Sequence, residues 1–140
     1  MGIIFRLSLA LLVGAIIGFE RQLKHKPAGL RTHMLVSFGS ALFVLVPLQM
    51  SMVQQDYDPI SRVIQGIAAG IGFLGGGEIL RSPNKESGKE EIHGLTSAAA
   101  IWVSAALGIT AGCGLWQMAL IGGLLSFVVL RVIKKLERFG

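Results

Sequence analysis

Charged residues fall in clusters along the chain and leave four uncharged intervals, residues 7–19, 32–55, 63–77 and 92–130. A helix needs about 20 apolar residues, with a range of roughly 17–25, to cross the hydrocarbon of a bilayer. The last interval, 39 residues long, is too long for one crossing and suits two. "AGCG" at 111–114 breaks it, because glycine is a poor helix former and a good turn former. The pattern predicts an all-α polytopic bundle, one transmembrane domain over 1–140, with spans at about 3–19, 33–53, 62–80, 95–111 and 115–132. Arg6 lies inside the first span, where a long side chain near a helix end is expected to lift its guanidinium into the headgroups. "ERQLKHK" follows Phe19 where a signal peptide would have its small-residue cleavage site, so the first span is expected to be retained.

Composition agrees with the pattern. Only 15% of the 140 residues are charged and 52% are hydrophobic, against about 25% charged in an ordinary soluble domain. Orientation is read from the basic residues. The 1–2 connection carries Arg21, Lys24, Lys26 and Arg31, the 3–4 connection Arg81, Lys85 and Lys89, and the C-terminal end Arg131, Lys134, Lys135 and Arg138. The 2–3 connection holds Asp56, Asp58 and Arg62, and the 4–5 turn has no charge. The positive-inside rule then places the basic loops and the C-terminus in the cytoplasm and the N-terminus outside. The net charge of +5 is explained by this bias and by anionic lipid, so no nucleic-acid partner is expected. Cys113, the single cysteine, has no partner for an internal disulfide and reads as a small apolar residue in the outer turn.

The stretch "GIGFLGGGEIL" at 70–80 sets a glutamate and five glycines in an apolar run. Gly70, Gly72 and Gly75 spell G-x-G-x-x-G, but the dinucleotide fingerprint needs a strand before it and a helix after it. Here an apolar helix precedes it, which excludes that reading. Helix packing explains the glycines better, since helices in lipid associate through close contact between small residues. Gly14 and Gly18, Gly66 and Gly70, and Gly72 and Gly76 are each four apart, and 97–108 is nearly a continuous small face. Spans 1, 3 and 4 are therefore expected to form the tight centre. A functional break of the helix at the same glycines is the second reading.

No catalytic template is present. His25, His33 and His93 stand apart with no ligand spacing, so no metal site and no cofactor is assigned. Trp102 and Trp116 read as packing or interface anchors, Trp102 being deep enough to line a cavity. Charges near the membrane usually serve a function or a partner. Glu20 and Arg21 close span 1, Arg31 opens span 2, and Glu78 with Arg81 closes span 3 on the same side; they form either an interfacial network or headgroup anchors. Asp58, Pro59 and Arg62 open span 3 on the other side, where Asp58 either caps the helix or contacts a cation.

"FERQLKHKPAGLRTHMLVSFGSALF" (19–43), "SRVIQGIAAGIGFLGGGEIL" (61–80) and "HGLTSAAAIWVSAALGITAG" (93–112) make the chain resemble the MgtC/SapB family of bacterial membrane proteins. The resemblance implies a small inner-membrane protein with about five spans. It also implies a link to magnesium limitation, stress and virulence, and a role in regulating other membrane complexes. It carries over Glu20, Arg21, Arg31, Thr32, Asp58, Arg62, Gly72, Gly75, Gly94, Thr96 and Trp102 as positions of importance. Glu78 departs from it, standing where the family has an apolar residue. Many members carry a soluble cytoplasmic domain after the last span; none is expected before Gly140. Two functions follow. The first is a non-enzymatic regulator or assembly partner that forms homo-oligomers and binds another membrane complex through glycine-lined faces. The second is an oligomeric cation transporter or channel using Asp58, Glu78 and Glu20.

Overall fold

The computed structural model describes residues 1–51, 56–80 and 94–139. The helices are α1 (Ile3–Leu23), α2 (Leu30–Met50), α3 (Asp58–Leu80), α4 (Leu95–Gly112) and α5. The last of these starts as Trp116–Val128, passes through a π-helical stretch Val129–Ile133 and finishes in an α-helical turn Lys134–Arg138. Each expected span overlaps one of these helices, the second running past the end of α2 at Met50 and the fifth starting one residue before α5. Four of them, α1, α2, α4 and α5, are long and apolar enough to cross a membrane. The third is 23 residues long and lies alongside them; its glycines and polar first turns dilute its apolar character.

The turns follow from sequence. At the end of α1 the Lys26 N–H donates to the Arg21 carbonyl and the His25 N–H to that of Gln22. This is the Schellman closure, with His25 at φ 54° in the place that glycine usually takes. The Gln22 side chain then accepts from the Leu30 N–H at 3.2 Å and caps α2. The α4–α5 turn repeats the closure: Leu115 donates to Thr110 and Gly114 to Ala111, with Gly114 at φ 80°. That is the physical basis of the break at "AGCG".

Packing puts α2, not α3, beside α1 and α4 at the centre. Helix α1 lies against α2 and α4, while α3 packs on α4 and less extensively on α2. The expectation that spans 1, 3 and 4 form the tight core is thereby corrected. Two glycine pairs explain the arrangement. A Cβ on Gly14 would sit 2.7 Å from the His33 carbonyl oxygen, and one on Gly18 2.8 Å from Leu30 Cα. From the other side Gly108 lies against the Ser37 backbone, and a Cβ on Gly112 would sit 2.9 Å from Ala41 Cα. The α2 backbone is thus clamped between a glycine pair on α1 and another on α4. Ser37 Oγ adds a cross-helix bond of 2.6 Å to the Ala10 carbonyl. Inside, the bundle is mostly small, with Ala10, Ala41, Ala105, Ala111 and Ala119 buried. Leu12, Phe19, Leu35, Phe43, Phe73 and Leu124 face outward. Large side chains outside and small ones inside suit a bundle held together in lipid by close contact.

Candidate functional site

Where α1 ends and α2 begins, polar side chains meet inside the protein. Glu20 and Arg21 are the last inward-facing residues of α1 and are 1% and 3% exposed. Arg21 donates from Nη2 to Ser97 Oγ on α4 at 2.8 Å. Its Nη1 lies 3.5 Å from Glu20 Oε2, too long for a charge-assisted hydrogen bond. His33, on the first turns of α2, is fully buried and bonds through Nδ1 to the Gly29 carbonyl at 2.9 Å. Gly18 makes this possible, because a Cβ there would lie 3.1 Å from His33 Cβ. Three helices therefore contribute: Glu20 and Arg21 from α1, His33 from α2 and Ser97 from α4.

The arrangement narrows the earlier readings. Glu20 and Arg21 are enclosed by protein, so neither is a headgroup anchor. Glu78 is half-buried; Arg81 lies outside the described residues. The Glu78 and Ile79 backbone is seated against Gly94, which begins α4 at φ 92° and where a Cβ would fall 3.1 Å from the Glu78 carbonyl oxygen. Gly75 likewise packs on Ala98. Arg31 and Thr32 are exposed and stand apart from the cluster. Thr96, also exposed, lines an apolar cleft of about 540 Å³ between α4 and α5. Trp102 is 56% exposed on the outer face, so it lines no internal cavity. Among the described residues no group of three or more His, Cys, Asp or Glu side chains could hold a metal ion.

A different correction concerns α3. Gly66, Gly70, Gly72 and Gly76 have nothing within 4 Å of an added Cβ, so their spacing serves no contact among the described residues. The reason is the orientation of α3: its Gly75 side meets α4, leaving the others outward. Gly66 and Gly70 border an apolar groove of about 600 Å³ whose opposite wall is Leu35, Val36, Gly39, Ser40 and Phe43 of α2.

At the other end, Arg6 does not reach out to the headgroups. Its Nη1 donates to the Gly112 carbonyl at 2.9 Å and its guanidinium covers Gly114, so a cation caps the C-terminus of α4, where the helix dipole favours it. Burial pushes the Cys113 thiol up, and the neighbouring Arg6 charge pulls it part of the way back. Asp58 is the first residue of α3, but the side chain that accepts there is that of Asp56, from the Asp58 N–H at 3.0 Å. Asp58 and Arg62 are exposed one turn apart.

Sequence reasoning passed over His33, Ser97 and the Gly108/Gly112 pair. A signal was present. His33, Ser37 and Ser40 recur at helical spacing on an otherwise apolar span, and a polar stripe in lipid faces the bundle interior.

The sequence profile of the MgtC family matches residues 7–139. The chain belongs to the MgtC family. With SrpB of Synechococcus elongatus it is 51% identical, over all of this chain and 79% of that protein. With the protein named "Putative magnesium transporter YhiD" of Escherichia coli K12 it is 41% identical, over 95% of this chain and 61% of the other. It is 40% identical to the protein MgtC of Brucella abortus over 93% of this chain and 50% of the relative. Beyond SrpB, then, the chain spans roughly half to three fifths of these relatives. No solved structure matches it significantly. Family membership and the apolar helices together make it a multi-pass membrane protein.

Proposed function

We propose that the chain is a non-enzymatic regulator or assembly partner of the bacterial inner membrane, tied to magnesium and stress physiology, which works by lateral association of its α3 face. The observation that carries this is the contrast among four glycine pairs. The pairs on α1 and α4 are filled by α2, while Gly66/Gly70 and Gly72/Gly76 on α3 meet nothing among the described residues. Close contact between small residues is the main attraction available to helices in lipid, so an unfilled pair beside an apolar groove is suited to another helix. The occupant we assign is α3 of a second copy, because each copy brings the same small surface to the contact. Magnesium enters through the relative named as a putative magnesium transporter. The orientation that goes with this reading has the N-terminus outside and the basic loops and C-terminus in the cytoplasm.

The cluster residues support a second reading, a cation pathway past Glu20 and Glu78. Against it, a protomer in which α2 is clamped between α1 and α4 by glycine contacts leaves little room for an internal path. The first test is the mass of the detergent-solubilised chain. An oligomer that Gly70→Leu converts to a folded monomer supports association; a monomer at all concentrations removes it. Ion flux in proteoliposomes that Glu78→Gln abolishes would favour the pathway instead.

A further inference from the structure

The cleft of about 540 Å³ between α4 and α5 is an apolar slot with a cationic mouth. Its floor is Ile17 of α1; Ala99, Ala100 and Val103 form one wall, and Leu125 and Val129 the other. Along α4 the wall runs from Leu95 to Val103, about 12 Å of helix axis. Ser126, the polar residue on the α5 wall, donates its hydroxyl to the Gly122 carbonyl at 2.7 Å, so the interior offers hydrocarbon. One end of the slot differs. Thr96, the second residue of α4, lines it there, and Leu130 of α5 stands at the same end because the two helices run antiparallel. The π-helical stretch Val129–Ile133 begins at this point. Its i→i+5 bonding widens the turn, so the residue that continues the line of Val129 and Leu130 is Lys134. Burial agrees: Lys134 is half-buried, while 131–133 and 135–139 are exposed. Its Cα lies about 6 Å along the axis beyond Leu130. Arg131 is drawn back over the Phe127 ring, 5.8 Å from its centroid. With Lys135, Arg138 and Glu137, this end of α5 carries four basic groups against one carboxylate.

We propose that the α4–α5 cleft binds an anionic phospholipid, with one acyl chain in the slot and the phosphate between Lys134 and Thr96. Charge complementarity selects this occupant. A hydrocarbon chain joined to a negative headgroup matches an apolar slot that opens beside a lysine, and basic residues at the end of a span attract anionic lipid. A second copy of the chain fits less well. Helices α4 and α5 touch each other, so the slot between them is narrower than the roughly 10 Å diameter of a further helix. Thr96, which the α3 face leaves without a role, gains one here as a hydroxyl donor to the phosphate. The lipid site is separate from the α3 face and stands whether or not copies associate there.

The test is native mass spectrometry of the full chain released from detergent micelles at low salt. Dioleoyl phosphatidylglycerol or dioleoyl phosphatidylcholine is added, and bound lipid is counted per chain. The same series on Gly70→Leu keeps the result independent of association through α3. The chain is expected to retain phosphatidylglycerol in preference to phosphatidylcholine. Lys134→Gln should cut that preference about fivefold, and Lys135→Gln, the same loss of charge at an exposed neighbour, should cut it less. Ala99→Phe fills the slot from an exposed position on α4 and should lower retention of both lipids. If Ala99→Phe does not fold, Leu125→Trp, at an exposed position of the other wall, serves in its place. The proposal is overturned if the two lipids are retained equally, or if Lys134→Gln and Lys135→Gln act alike, which would mark diffuse charge. Unchanged retention in the slot-filling variant would overturn it too. So would displacement of the lipid by an equal concentration of glycerol 3-phosphate, which would mark a phosphate site without a chain.

Discussion

At Gly14 a single methyl group would have to enter the space between two backbones, 2.7 Å from a carbonyl oxygen. Overpacking of this kind costs about 1–3 kcal/mol. Gly14→Ala should therefore lower the thermal midpoint in detergent, whereas Gly70→Ala, with open space around it, should leave a dilute monomer unchanged. His25 holds a left-handed conformation that glycine adopts freely. His25→Gly should accordingly be neutral or stabilising by up to about 1 kcal/mol, and a clear loss of stability would show that the ring has a contact of its own. Cys113 reports on Arg6. Burial raises its thiol and the guanidinium lowers it, so Arg6→Gln removes that opposing charge and the thiol rises further. Each unit upward cuts the thiolate about tenfold at a pH below the midpoint. Alkylation of Cys113 near pH 8 should therefore slow in Arg6→Gln, and faster labelling would mean that Arg6 acts mainly as a cover.

Among the elements, α2 owes its place between α1 and α4 to features that hydropathy does not display. Uncharged length located the helices, and the "AGCG" turn was legible because Gly114 takes the position that needs it. The Gly14/Gly18 pair was legible too, being a spacing within one span. What the spacing did not reveal was the partner, since a glycine pair says that something comes close and not which helix does. The pairs on α3 look the same in sequence as the pair on α1, yet only the latter is filled. The cluster was half legible for a similar reason. Glu20 and Arg21 stood out as charges at a span end, while His33 and Ser97 gained meaning only when α2 and α4 were brought beside them. Ser97→Ala tests that junction. It leaves a buried guanidinium N–H without its acceptor, which costs about 1–3 kcal/mol, read as a lowered unfolding midpoint. No change would mean that the Arg21–Ser97 bond is incidental to holding α1 on α4.

For the whole molecule, the organising fact is that one side of the bundle is finished and the other is not. Helices α1, α2 and α4 close on one another through glycines and a cross-linked polar end. The α3 side keeps two glycine pairs and an apolar groove open. Family membership fixes the membrane setting, and the open side supports the reading of a protein that acts through neighbours. The most direct measurement is disulfide cross-linking in native membranes, with Cys113→Ser as the background. A single cysteine at Ala69, within the Gly66/Gly70 pair of α3, is compared with one at Leu124 on the outer face of α5. Association through α3 predicts a dimer band for Ala69→Cys and none for Leu124→Cys. Equal cross-linking at both positions, or a dimer from Leu124→Cys alone, would contradict it.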